Sequence, residues 1–258
     1  MVKRIAILSD TQFPYENGRQ VKKFIEFVGA WQPDELVCIG DVTDYPTPSR
    51  WSKGTKEEFA GSVKKDSEYT KRKLWEPLRA VYSGPIVCHI GNHDERPWVY
   101  LRDNAPALAD TERESPFYYG NLVGFDEFGI TDPGDFYRIA PGWESTHGHK
   151  VAASLSQNPG STALNEARNR MKSIICGHTH RLGAIPDTIG VGSAQRVLWG
   201  MEVGNMMDMA KAGYLKKKGG YANWQSGFGV LYVDGNKAAP VPVPMAKDGT
   251  FIFEGRAW

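Results

Sequence analysis

Three times in this chain a short apolar run rich in strand-forming residues ends at a glycine and then delivers polar, metal-type side chains. Leu36-Val37-Cys38-Ile39 runs into Gly40-Asp41-Val42-Thr43-Asp44, Pro85 to Ile90 into Gly91-Asn92-His93-Asp94-Glu95, and Ser173-Ile174-Ile175-Cys176 into Gly177-His178-Thr179-His180. Ile5 to Leu8, ending in Ser9-Asp10, is a fourth such run without the glycine. Runs of this kind read as buried strands that end in tight turns, and polar clusters at the C-terminal tips of strands are where α/β proteins place their sites. Each turn alone would also pass as an ordinary strand-to-helix connection with a capping Asp or Asn. Four in register, loaded with Asp, Asn and His, suit instead a hard-to-borderline divalent cation held by oxygen and imidazole rather than a thiolate zinc site.

The cysteines support that choice. Cys38, Cys88 and Cys176 each sit inside the apolar run before a ligand-bearing turn, so they are expected to be buried, reduced thiols, and an odd count argues against a disulfide framework. No linker or low-complexity break divides the 258 residues, which are expected to form one α/β domain over 1–258. With 41% hydrophobic and 24% charged residues the chain can build a substantial core. A net charge of +1 advertises neither a nucleic-acid nor a membrane partner. Met1-Val2-Lys3-Arg4 precedes only four apolar residues, too few for a signal peptide, and no apolar run approaches a membrane span, so a cytoplasmic protein is expected.

In chain order, Arg4 to Leu8 reads as the first strand, and Val21 to Trp31, with Val21, Phe24, Ile25, Phe27 and Val28 at helical spacing, as the helix returning to Leu36. The charged stretch from Thr55 to Ala80 reads as one long helix or two shorter ones, its lysines interleaved with acids on a solvated face. Arg96 to Leu108 reads as a helix interrupted by Pro97 and Pro106, while Thr111 to Asp135 gives no clear assignment. Phe136 to Ile139 and Trp143 to Thr146 read as short strands leading to His147-Gly148-His149, and Asn165 to Met171 as a helix. Val197 to Val203, Phe228 to Val233 and Thr250 to Phe253 read as strands of an antiparallel terminal region packed on the first half.

Taken together, Asp10, Gly40-Asp41-x-x-Asp44, Gly91-Asn92-His93-Asp94, His147 or His149, and Gly177-His178-x-His180 resemble the five motifs of the calcineurin-like metallophosphoesterases, D-x-H, GD-x-x-D, GNH-[D/E], an isolated His and GH-x-H. The resemblance spans residues 10 to 180; each motif alone is weak, but their ordered combination is specific. It implies a four-layer α-β-β-α sandwich of two mixed sheets flanked by helices, with the site on loops at the strand tips. It also implies two divalent metal ions, the first held by Asp10, Asp41 and His180 with Gln12 beside them, the second by Asp41, Asn92, His147 and His178. Asp41 would be the shared ligand. By the same analogy His93 faces the scissile phosphate, and Asp44 (with Asp94 as second choice) accepts a hydrogen bond from its far nitrogen so that the ring can protonate the leaving oxygen. His147 is preferred to His149 because it comes first after the strand and Gly148 lets the backbone bend away. His89, one strand position outside its turn, reads as a packed core histidine.

The chain departs from the family at two places. Gln12 stands where the family has His; its amide oxygen is a weaker, harder ligand than imidazole and favours oxygen-loving ions, so Mn²⁺ is expected, with Fe, Ni, Co or Zn as other candidates. Tyr45 follows Asp44 where the protein serine/threonine phosphatases have an arginine, which argues against a protein substrate. The compact size and Gln12 are similar to phage-encoded and bacterial members that act as phosphodiesterases, including on 2',3'-cyclic nucleotides. A small phosphodiester or nucleotide is therefore the expected substrate. The competing readings are a phosphomonoesterase, a nuclease (for which the run Lys216-Lys217-Lys218 leaves some room), or a non-catalytic scaffold of the same fold.

Overall fold

The computed structural model describes residues 1–50, 52–211 and 222–258; the Lys216-Lys217-Lys218 run lies outside them. The first strand, β1 (Lys3–Leu8), passes through helix α1 (Gly18–Trp31) to β2 (Glu35–Cys38). The helix begins three residues before the apolar pattern does, because the Asn17 side chain caps the amides of Arg19 and Gln20. The stretch after β2 holds α2 (Val63–Thr70) and α3 (Glu76–Val81), joined by a π-helical turn over Lys71–Trp75. The wide turn suits Pro77, which has no N–H for the carbonyl one α-turn back. Next come β3 (Ile86–Cys88) and α4 (Arg96–Asn104), whose C-cap Ala105 is the residue before Pro106. The unassigned stretch contains α5 (Tyr119–Val123), α6 (Phe125–Phe128) and the two-residue β4 (Ile130–Thr131), all shorter than any periodicity can reveal. The second half runs through β5 (Tyr137–Ala140), β6 (Trp143–Thr146), α7 (Ser161–Arg170), β7 (Ser173–Cys176), β8 (Leu182–Ile189), β9 (Arg196–Val203), β10 (Gly227–Asp234), β11 (Lys237–Pro244), β12 (Ile252–Phe253) and β13 (Arg256–Ala257).

Among the described residues these strands form two mixed sheets. The first has the order β11-β10-β1-β2-β3-β4 and the second β5-β6-β7-β9-β8, with β12-β13 as a small ribbon. The core strands are parallel: β1 with β2, β2 with β3, β6 with β7 and β7 with β9. Strand alternation then sorts the core into layers. Ile5 and Ile7 of β1 meet Val37, Ile39, Val87, Ile175, Met201 and Val203 between the sheets. Ala6 and Leu8, on the other face, pack with Phe24, Phe27, Val28 and Trp31 of α1 and with Trp75 and Leu78. The outer face of the second sheet, Ile174, Cys176 and Leu198, is covered by Ala163, Leu164 and Ala167 of α7. The order helix, sheet, sheet, helix is the four-layer sandwich, and all three cysteines are buried and free.

The antiparallel pairing expected of the terminal region is present in β8–β9, β10–β11 and β12–β13, but it is divided between the two sheets. β9 enters the second sheet parallel to β7, whereas β10 and β11 extend the first sheet next to β1. The two long strands the sequence pattern misses, β8 and β11, contain prolines and lie at sheet edges. In β11, Pro240, Pro242 and Pro244 occupy alternate positions, so their missing donors all face away from β10 while the intervening residues carry the ladder.

His89 joins the layers just beyond β3. Its ring is 1% exposed; Nδ1 donates to the Gly134 carbonyl (2.9 Å), which leaves Nε2 to accept from Ser145 Oγ of β6 (2.9 Å). Burial, only partly offset by the Gly134 bond, pulls its pKa down to about 4. The neutral ring therefore contributes stability in full above about pH 6.5, and this is lost as pH falls from about 6.5 toward 4, up to roughly 3 kcal/mol. Thermal melts of the wild type and His89→Asn at pH 7 and pH 5 check this. The wild type should lose more Tm between the two pH values than the variant, and equal losses would exclude His89 as the source.

Candidate metal centre

All the candidate side chains lie on loops at the C-terminal tips of the parallel strands. Asp10 and Gln12 follow β1, Asp41 and Asp44 follow β2, Asn92 and His93 follow β3, His147 follows β6, and His178 and His180 follow β7. Backbone hydrogen bonds zip these loops together: Asp10 N donates to the Gly40 carbonyl (3.1 Å), Gln12 N to Asp41 (3.0 Å), and Gly177 N to His147 (3.1 Å). Gly91 has a physical reason to be glycine, since a Cβ there would stand 2.1 Å from Asp41 Oδ1 and 2.4 Å from its amide nitrogen. Among the described residues nine non-glycine positions have positive φ, and six of them are Asp10, Gln12, Asp41, Tyr45, His178 and His180. Such backbone persists only where the surroundings over-determine it, and it gathers at working sites.

One group of ligand atoms converges on Asp41. Ligand atoms of Asp41, His147 and His178 all lie within 4.8 Å of one another. His147 Nε2 is 3.3 Å from Asp41 Oδ2 and 3.3 Å from Asn92 Oδ1. His147 Nδ1 donates to the Ile39 carbonyl at 2.6 Å, so its Nε2 is the nitrogen that faces the centre. Burial opposes the charges here, yet the His147 and His93 rings hold the Asp41 carboxyl well below the usual carboxylate range. His147, buried but beside Asp41, is lifted to about 10. His178 is lowered to about 4, first by burial and then by His147, and so offers a neutral ring nitrogen.

A second group converges on Asp10. His180 Nε2 lies 3.2 Å from Asp10 Oδ1 and 3.1 Å from the Gln12 amide, and all three residues are buried. Asp10 Oδ1, Gln12 Oε1 and His180 Nδ1 are buried with no hydrogen-bond partner. A half-turn of the amide would present Oε1 to the same point. Separations of 3.1–3.3 Å in both groups suit neighbouring ligands about 2.1 Å from an octahedral cation, so the residues fit divalent ions. Behind this group the ring of Trp224 packs on His180 with centroids 4.2 Å apart, and Asn205 Nδ2 holds the His180 carbonyl (3.1 Å). Neither residue was signalled by the sequence, since both come to the site from the loop between β9 and β10.

His93 stands beside Asp41. Its Nε2 is 3.8 Å from Asp41 Oδ2, its amide donates to Asp41 Oδ1 (2.8 Å), and its Nδ1 pairs with Asp44 Oδ1 at 2.5 Å. Asp94 does not orient His93; its carboxylate accepts from the amides of Thr43 and Gly91, both at 2.9 Å, and so ties two loops. Arg96, which none of the sequence motifs includes, donates to the Asp44 carbonyl (2.5 Å) and places Nη2 3.1 Å from His93 Nε2. The signal was its position three residues after His93 in a helical turn. Tyr45 turns away into the core and bonds Ser67 Oγ (2.7 Å). His149 is not part of the Asp41 group; its Nε2 points to Glu95 Oε2 at 3.6 Å.

The sequence pattern of the calcineurin-like phosphoesterases matches residues 3–182. The chain is 52% identical over 258 residues to the Gene 54 protein of Mycobacterium phage L5, across 100% of this chain and 99% of that protein. Identity to the Gene 54 protein of Mycobacterium phage D29 is 51% over 258 residues, with the same coverage. Among solved structures it is similar to a metallophosphoesterase from Sphaerobacter thermophilus, at 15% identity and a TM-score of 0.45, over 93% of this chain and 87% of that one. No helix among the described residues is long and apolar enough to cross a membrane.

The two histidines of the His147-Gly148-His149 stretch should differ in metal content. His147→Ala should lose an ion, because it removes the nitrogen facing Asp41 and Asn92, while His149→Ala should keep it. Elemental analysis of both variants checks this, and loss confined to His149→Ala would reverse the assignment.

Proposed function

We propose that this chain, which belongs to the calcineurin-like phosphoesterase family, is a hydrolase of small phosphodiesters that works with two divalent metal ions. The observation that carries the reading is the convergence of Asp41, His147 and His178 next to the orphaned, buried atoms of Asp10 and Gln12. Asp10, Gln12 and His180 would hold one ion, Asn92, His147 and His178 the other, with Asp41 between them. The His93 amide donates to Asp41 Oδ1 at 2.8 Å and so orients the carboxylate that would lie between the two ions. Bound divalent ions supply a water deprotonated near neutrality and an electrostatic grip on phosphate oxygens. The oxygen-rich donors, with Gln12 in place of an imidazole, favour Mn²⁺.

The protein's own part is positioning and proton transfer. The loops hold the ligands before substrate arrives, at the cost of six strained backbone positions. Asp44 fixes the His93 ring through Nδ1, so that Nε2, once it has taken up a proton to give the imidazolium, can hand that proton to the leaving oxygen. Tyr45, buried against Ser67, leaves position 45 without the arginine expected of a protein phosphatase. Net charge of +1 favours a compact ester, of which a 2',3'-cyclic nucleotide is one example, over a long duplex. The phage origin of the relatives supports an action in the cytoplasm of an infected host.

Purified protein given Mn²⁺ should hydrolyse an aryl phosphodiester and stop on chelation. In His93→Ala the metal content should stay and turnover fall by about 10² to 10⁴, less for aryl than for alkyl leaving groups. A protein that binds metal yet leaves mono- and diesters intact contradicts the reading and returns the scaffold alternative.

A further inference from the structure

We infer that Arg96 is the residue that binds the phosphate of the substrate, doing from α4 what position 45 does not do. The inference rests on the phosphoesterase reading above. Arg96 is the first residue of α4, and its side chain is only 17% exposed. Nη1 is anchored, donating to the Asp44 carbonyl at 2.5 Å and lying 3.4 Å from Asp44 Oδ2. Nη2 is the working end. It lies 3.1 Å from His93 Nε2, which is itself 3.8 Å from Asp41 Oδ2, so the guanidinium stands two short contacts from the shared carboxylate.

The Nη2 contact is chemically exchangeable. A guanidinium can only donate, so in this arrangement His93 Nε2 accepts from Nη2 while Nδ1 donates to Asp44. A phosphate oxygen carries charge and is a stronger acceptor than a neutral ring nitrogen. An ester entering beside Asp41 and His93 therefore takes the Nη2 donor from His93, and the Nη1 anchor keeps the guanidinium in place as the acceptor changes. The planar fork divides its two ends between Asp44 and substrate, which a lysine's single ammonium cannot do. Because the anchor exists before substrate arrives, little side-chain freedom is lost on binding.

The test compares the wild type, Arg96→Ala and Arg96→Lys, all loaded with Mn²⁺, for KM and kcat on an aryl phosphodiester and for competitive inhibition by inorganic phosphate. In Arg96→Ala, KM and the phosphate inhibition constant should rise together by roughly 10- to 100-fold, with a smaller change in kcat. Arg96→Lys should recover part of both, and thermal melts should show that the variants are folded. If Arg96 merely props Asp44, kcat falls through a misplaced His93 while KM and phosphate inhibition stay put, and the inference is overturned. A metal-loaded wild type that neither turns over nor binds phosphate overturns the phosphoesterase reading itself; an active wild type with unchanged Arg96→Ala constants overturns the arginine alone.

Discussion

The hydrogen bond from His147 Nδ1 to the Ile39 carbonyl, 2.6 Å long, ties a loop of the second sheet to the end of a strand in the first. It has two consequences that reach the rest of the molecule. The tips of both sheets are kept at one place, reinforced by His178 N donating to Asp10 Oδ2 at 2.9 Å. The proton is also fixed on Nδ1, which turns Nε2 toward Asp41 and Asn92. The apolar core between the sheets, with Ile5, Ile7, Val37 and Ile175, holds the two halves face to face, and this seam sets the register of the polar side chains at their tips.

Backbone strain follows from the same demand. Several side chains must point at one small volume from five loops, and Asp10, Asp41, His178 and His180 adopt the left-handed conformation there. Each such residue costs on the order of 1–3 kcal/mol. Packing offsets that cost: the motif glycines let the loops touch, as Gly177 does against Ser9 Oγ, which a Cβ would approach to 2.0 Å. Glycine and ligand in these motifs are two halves of one geometric solution.

Much of this was legible in the sequence. The repeated apolar run, glycine and polar cluster placed β2, β3 and β7, and the same run without the glycine placed β1, because a strand's C-terminal tip is a local property of a few consecutive residues. The spacing of Val21, Phe24, Phe27 and Val28 gave the body of α1. What stayed hidden depends on distant chain. Edge strands β8 and β11 tolerate prolines that a central strand would not, so their composition argued against them. Arg96 gained its place from a helical turn, and Trp224 and Asn205 from a loop that returns to His180. The sheet to which β9 belongs is decided by burial between β7 and β8, which no pattern within β9 encodes.

The proposed two-ion function turns on Asp41, whose Oδ2 lies 3.3 Å from His147 Nε2 and 3.8 Å from His93 Nε2. Metal stoichiometry of Asp41→Ala, measured by elemental analysis on folded protein beside the wild type, tests it most directly. The account predicts two ions per chain in the wild type and loss of both in the variant. Retention of two ions by Asp41→Ala would contradict it.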